Sequence, residues 1–228
     1  MDEQIGVREV VEVQQRHIQA SAYKNLLILS AITAVGIFGR VAFQFIPSVE
    51  PLTALAIAIG YFYGVRHGIF VGAVGFFGSN FLIWGGQGPW TVFQVLGAAL
   101  AATAGALIGR LPNARNRMKT FIIALALGTI LFEIAVNIGW GLMLSIFAPL
   151  STTMALSFIG ALPFAIVHIA SSIGFGAILY EFRDRLGSMI KGDQIEFKVS
   201  RFWVGDGFRG FRGNTVLRYP ASRRKKSK

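Results

Sequence analysis

Arg40 and Glu50 lie ten residues apart in FGRVAFQFIPSVEP, where a long apolar run gives way to a Pro-flanked loop. A guanidinium in such a place pairs with the nearby carboxylate or grips the carboxylate or phosphate of a solute bidentately. Formal charge is scarce around it: between Lys24 and Tyr180 the only acidic residues are Glu50 and Glu133. An ionisable group inside a membrane span is costly unless paired, and marks a functional site by default. Other polar and aromatic groups gather at comparable depth. Phe43 follows Arg40; Asn80, Trp84 and Gln87 close one apolar run; Trp90 and Gln94 open the next. Glu133, Asn137 and Trp140 fall at i, i+4 and i+7 and so share a helix face. His168 lies in the last apolar run. Together they suggest a pocket for a polar small molecule with a flat apolar part. Each also has a plainer use. Arg40 can snorkel to headgroups, the Trp residues can form an interfacial belt, and Glu133 and His168 can hydrogen-bond between helices.

Catalysis finds little support. The chain has no HExxH, GxSxG or GxxxxGK[ST] pattern, and Glu50 and Glu133 form no carboxylate dyad. His17, His67 and His168 are scattered, and the absence of Cys removes thiolate metal sites and thiol nucleophiles. The expectation is a non-enzyme with no catalytic residues, no resident metal and no cofactor. Any ATP-driven work would fall to another chain.

The elements that hold these residues are apolar helices. The 228 residues are 54% hydrophobic and 14% charged, with mean hydropathy +0.57, whereas soluble domains carry about 25% charged residues. The pattern predicts an all-α membrane protein, a bundle of six transmembrane helices: Asn25–Phe45, Leu52–Val65, Ile69–Trp84, Trp90–Ile108, Thr120–Phe147 and Thr153–Tyr180. Spans two and three are short, and the Arg66-His67-Gly68 stretch is expected to be the turn between them. Lys and Arg occur in the N-terminal segment, at Arg66, in the loop from Arg110 to Lys119, and in the tail. IPSVEP, GGQGP and APLSTT have none. The positive-inside rule then puts both termini in the cytoplasm and these three loops outside.

Three segments follow: an amphipathic interfacial stretch over 1–23, the membrane domain over 24–182 and a basic cytoplasmic tail over 183–228. The net charge of +11 is concentrated in that tail, with 13 of the 22 Lys and Arg after Glu181. Such a segment suits anionic lipid headgroups better than nucleic acid. Small residues recur at four-residue spacing at Gly60 and Gly64, Gly68 and Gly72, and through Gly97, Ala101, Gly105 and Gly109. They predict close helix packing. Ser30, Ala31 and Ala34 form a similar strip on the first span.

Several spaced motifs agree in order with one family. Gly39-Arg40 closes span one, Pro47, Val49 and Pro51 form a Pro-x-Val-x-Pro loop, and Gly64 to Gly68 make a turn. Gly88 to Gln94 read Gly-Pro-Trp-Thr-x-Phe-Gln. Over residues 25 to 182 the chain resembles the substrate-binding S components of energy-coupling factor (ECF) transporters, small prokaryotic vitamin-uptake proteins of the cell membrane. The resemblance implies an outward pocket covered by IPSVEP and GGQGP. It further implies that Ser30, Ala31 and Ala34 dock on a transmembrane T component, itself joined to two cytoplasmic ATPases. The substrate stays open among corrinoid, folate-like, pantothenate-like and queuosine-type molecules, and the basic tail lies outside the resemblance. Two readings from other classes compete. One is a stand-alone secondary transporter using Glu133 or His168 as a proton relay; the other is a non-transport membrane scaffold.

Overall fold

The expected apolar runs fold as helices in a computed structural model that describes residues 2–190. Seven α-helices and one short 3-10 turn, Ala114–Asn116, account for the regular structure, and there is no strand among the described residues. They are α1 (Asp2–Phe43), α2 (Pro51–Tyr63), α3 (Val65–Ser79), α4 (Trp90–Gly109), α5 (Met118–Leu144), α6 (Leu150–Glu181) and α7 (Arg183–Ile190). Among the described residues four segments are long and apolar enough to cross a membrane: Ala22–Phe43 of α1, and the whole of α4, α5 and α6. The architecture is that of an all-helical, multi-pass membrane protein.

Large apolar side chains cover the outside of this bundle as well as filling its core. Val35, Phe38 and Ile166 stand 70%, 68% and 67% exposed, as side chains facing lipid tails rather than water would be. The two shorter helices lie within. α2, from Leu52 to Phe62, is buried on every face and packs against α1, α3, α4, α5 and α6. At 1.5 Å per residue its 13 residues reach only about 20 Å, short of a roughly 30 Å hydrocarbon layer.

Close packing around α2 explains the glycine rows. A Cβ at Gly60 would come 2.3 Å from the Ala102 carbonyl oxygen of α4; at Gly105 and Gly109 it would meet the carbonyls of Ile57 and Tyr61 at 2.5 and 2.2 Å. At Gly68 it would strike the Gly60 backbone at 2.7 Å, and at Gly97 the Phe132 ring at 3.0 Å. These glycines let backbones approach within the molecule. Gly64 differs. At φ +103° it forms the whole α2–α3 turn, in a region open mainly to glycine.

That turn corrects an expectation. Arg66, His67 and Gly68 belong to the first turn of α3, because Gly68 serves as a contact surface and Gly64 supplies the reversal. The third apolar run also ends early as a helix, at Ser79; Phe81 to Pro89 form irregular structure with positive φ at Gly85 and Gly86. α1 runs unbroken through the expected boundary at residue 23. The segment assigned to the tail begins with α7, which packs back on α1, α2 and α6 and offers the Arg183 carbonyl to the Tyr63 hydroxyl at 2.7 Å. Residues 191–228, the rest of that tail, lie outside the described residues.

Candidate functional site

The buried charges meet where α1 ends and α2 begins. Pro51 occupies the first turn of α2, and Glu50, in extended conformation, is its N-cap residue. The reversal through Gln44 to Val49 needs a positive φ at Ser48, 61°, and returns Glu50 toward the helix it has just left. Arg40 Nε then lies 2.8 Å from Glu50 Oε2. Both residues are buried, at 9% and 8% exposure.

Arg40 is held on three further sides. Its Nη1 donates to Ser79 Oγ at 2.6 Å and to Asn80 Oδ1 at 2.7 Å. Its guanidinium carbon sits 4.6 Å from the centre of the Phe76 ring, a cation–π arrangement. Asn80 passes the contact on, donating to Thr91 Oγ1 and Gln94 Oε1 at 2.8 Å each. The end of α3 and the start of α4 are thus tied to the tip of α1.

Glu50 is held from the other side. The Thr53 hydroxyl donates to Glu50 Oε1, and His168 Nε2 of α6 lies 3.4 Å from the same oxygen. That approach is an ion-pair contact without hydrogen-bond alignment, and Nε2 has no aligned partner. His168 Nδ1 lies 2.6 Å from Glu133 Oε1 of α5. Among the described residues Glu133 Oε2 receives only a long 3.4 Å contact from Asn137 Nδ2, whose shorter bond is to the Glu133 carbonyl at 2.8 Å. The result is a chain, Arg40–Glu50–His168–Glu133, that joins α1, the α1–α2 loop, α6 and α5. Each charge has an opposite neighbour, which is what makes burial of four such groups tolerable.

A cavity of about 260 Å³ lies against this chain. Arg40, Phe43, Glu50, Trp84, Gln94, Glu133 and His168 all line it, so seven of the twelve residues singled out from sequence converge. Ile46, Pro47, Ser48 and Val49 of the α1–α2 loop contribute to its wall, as do Gln44, Phe76, Ile83 and Phe132.

The other five fall elsewhere. Asn80 is fully buried behind Arg40. Gln87 donates to the Phe77 carbonyl at 2.6 Å and accepts from Thr91 at 2.9 Å. Trp90 and Trp140 stack on each other, ring centres 6.1 Å apart and planes 7° from parallel; they brace α4 against α5 and do not line the cavity. Asn137 is occupied with Glu133 and accepts at its carbonyl from Ser157 at 2.8 Å. The periodicity that put Glu133, Asn137 and Trp140 on one face holds, but only Glu133 lies where that face meets the cavity. Ser79, Phe76 and Phe132 were missed. No charge or amide marks Phe76 or Phe132 in sequence, whereas Ser79 adjoins Asn80 and was within reach of the same argument. Ser30 and Ala31 are exposed and Ala34 half-buried on α1.

Among the described residues no group of three or more His, Cys, Asp or Glu is placed to hold a metal ion. In comparisons with family models, curated proteins and solved structures, nothing matches this chain.

Proposed function

We propose that this chain is the substrate-binding membrane subunit of an ATP-powered importer of the energy-coupling factor type. It captures a vitamin or related micronutrient in an outward-facing pocket and delivers it inward by docking on a T component with two ATPases. The observation that carries the reading is the cavity beneath the α1–α2 loop, bounded by the Arg40–Glu50 pair and by Glu133 and His168. Buried, mutually neutralised polar groups beside aromatic walls suit a solute that must be stripped of water and held inside a membrane. The motifs over residues 25 to 182 add the family resemblance. In this reading α2 and α3 complete six membrane passages, both termini are cytoplasmic, and the Lys- and Arg-free loops face outward. The exposed Ser30 and Ala31 with Ala34 offer the strip on which a T component would pack. A cavity of about 260 Å³ is below the roughly 300–1,000 Å³ of drug-sized ligand sites, which disfavours a corrinoid.

The test is uptake by sealed vesicles holding the chain alone or with its T component and ATPases, after mass spectrometry has identified the small molecule that co-purifies. ATP-dependent uptake only in the complete assembly is expected. A second reading has its own support: His168 lies between two carboxylates, an arrangement that can pass protons. Uptake by the lone chain under an imposed proton gradient would replace the importer with a secondary transporter.

A further inference from the structure

The cavity wall has a hydrogen-bond polarity imposed by its own contacts. Arg40 has donors only, so the Asn80 group 2.7 Å from its Nη1 must be the amide oxygen. The Asn80 nitrogen is thereby turned to Gln94, and it is Gln94 Oε1 that receives it at 2.8 Å. Gln94 Nε2 is left without a bond among the described residues. Gln44 is oriented independently, since its Oε1 accepts the Trp84 backbone N–H at 3.1 Å; its Nε2 is likewise unspent. Arg40 Nη2 is the third such group, because Nε is engaged by Glu50 and Nη1 by Ser79 and Asn80. All three side chains line the cavity. On α5 the polarity reverses: Glu133 Oε1 is taken by His168, while Oε2 has only the long Asn137 contact. The cavity thus offers donors from α1, the loop after it and α4, and an acceptor from α5.

Charge narrows the ligand further. His168 Nδ1 lies in hydrogen-bond contact with Glu133 Oε1 at 2.6 Å, and Nε2 faces Glu50 Oε1 at 3.4 Å without hydrogen-bond alignment. A lone pair there would oppose the carboxylate and an N–H would not, so a ring protonated on both nitrogens suits this arrangement. Two cations then balance two anions. A ligand with net charge would bring an unmatched charge against these partly buried groups, which disfavours it. Phe43, Phe76 and Phe132 add flat apolar wall.

We propose, building on the solute-binding reading above, that the site takes a small neutral planar cyclic amide. This is a lactam-bearing heterocycle whose carbonyl oxygen and ring nitrogen accept from Arg40, Gln44 and Gln94 while a ring N–H donates to Glu133.

The test is equilibrium dialysis of the full chain in lipid nanodiscs against hypoxanthine, adenine, glutamate and agmatine. Hypoxanthine carries the lactam; adenine has the same bicycle with an amine in place of the carbonyl; the other two bear net charge. Saturable retention of hypoxanthine, at least about ten-fold tighter than adenine, is expected. Gln94→Met and, in the loop after α1, Gln44→Met should each shrink that ratio, and because the ratio is read within one folded variant, poor yield does not mimic the effect. Adenine binding as well as hypoxanthine, or a charged solute binding best, overturns the inference. If the charged solute is then lost in Arg40→Ala, the pocket stands and only the ligand class falls. If none of the four is retained and no compound co-purifies, the pocket reading falls with it.

Discussion

Arg40 shows how one side chain is made tolerable at membrane depth and useful there. A guanidinium has five donors in a planar fork, and here that fork spans Glu50, Ser79 and Asn80 while lying on Phe76. Arg40→Ala would leave Glu50 buried beside only Thr53 and His168. Removing one partner of a buried pair costs about 3–5 kcal/mol, so thermal unfolding in detergent should shift down and solute binding should be lost. Arg40→Lys keeps the charge without the fork; it should recover part of the stability but little of the binding, and full binding would show that charge alone suffices. Trp140→Ala is the contrasting case. Its sequence position beside Glu133 and Asn137 suggested a role in the pocket, and the structure stacks it on Trp90 instead. Its loss should cost about 1 kcal/mol of stability and leave solute affinity unchanged in a titration; a large affinity loss would return it to the site.

At the scale of elements, the glycine rows and the short helices explain each other. α2 can be sheathed by its neighbours only if backbones approach closely, and Gly105 allows this against the Ile57 carbonyl. Gly105→Leu should therefore lower the unfolding temperature by several degrees, as overpacking costs about 1–3 kcal/mol. Gly160, with nothing within 4 Å of its would-be Cβ, is the matched control: Gly160→Leu on α6 should shift it far less. Equal losses would mean that the close contact at Gly105 does not set the effect, since helix propensity alone favours Leu over Gly at both positions. The spacing of these rows was legible because glycine at i and i+4 has few other uses in an apolar helix. Helix ends were less so. Gly64 and Gly68 look alike in sequence, yet one is a turn at φ +103° and the other a contact surface, and only the neighbouring helix distinguishes them.

For the whole molecule, capture and delivery are separable in the proposed importer, because the cavity and the Ser30–Ala34 strip use different surfaces of α1. Ala31→Trp or Ala34→Trp should abolish uptake by the complete assembly while solute binding by the lone subunit stays intact. Loss of both would indicate misfolding rather than failed docking. Sequence by itself determined that this is a helical membrane protein, since runs of apolar residues nearly free of charge have no other stable setting. It also brought Arg40 and Glu50 into view as a pair, because ten residues and a proline-flanked loop keep them local. Tertiary structure alone decided that His168 bridges Glu50 to Glu133 and that Asn80 and Gln94 back Arg40. It likewise decided that Trp140 turns to Trp90. Those contacts join residues 35 or more apart, or side chains whose direction depends on helix rotation, and rotation is set by the packing of every neighbour at once rather than by any local pattern.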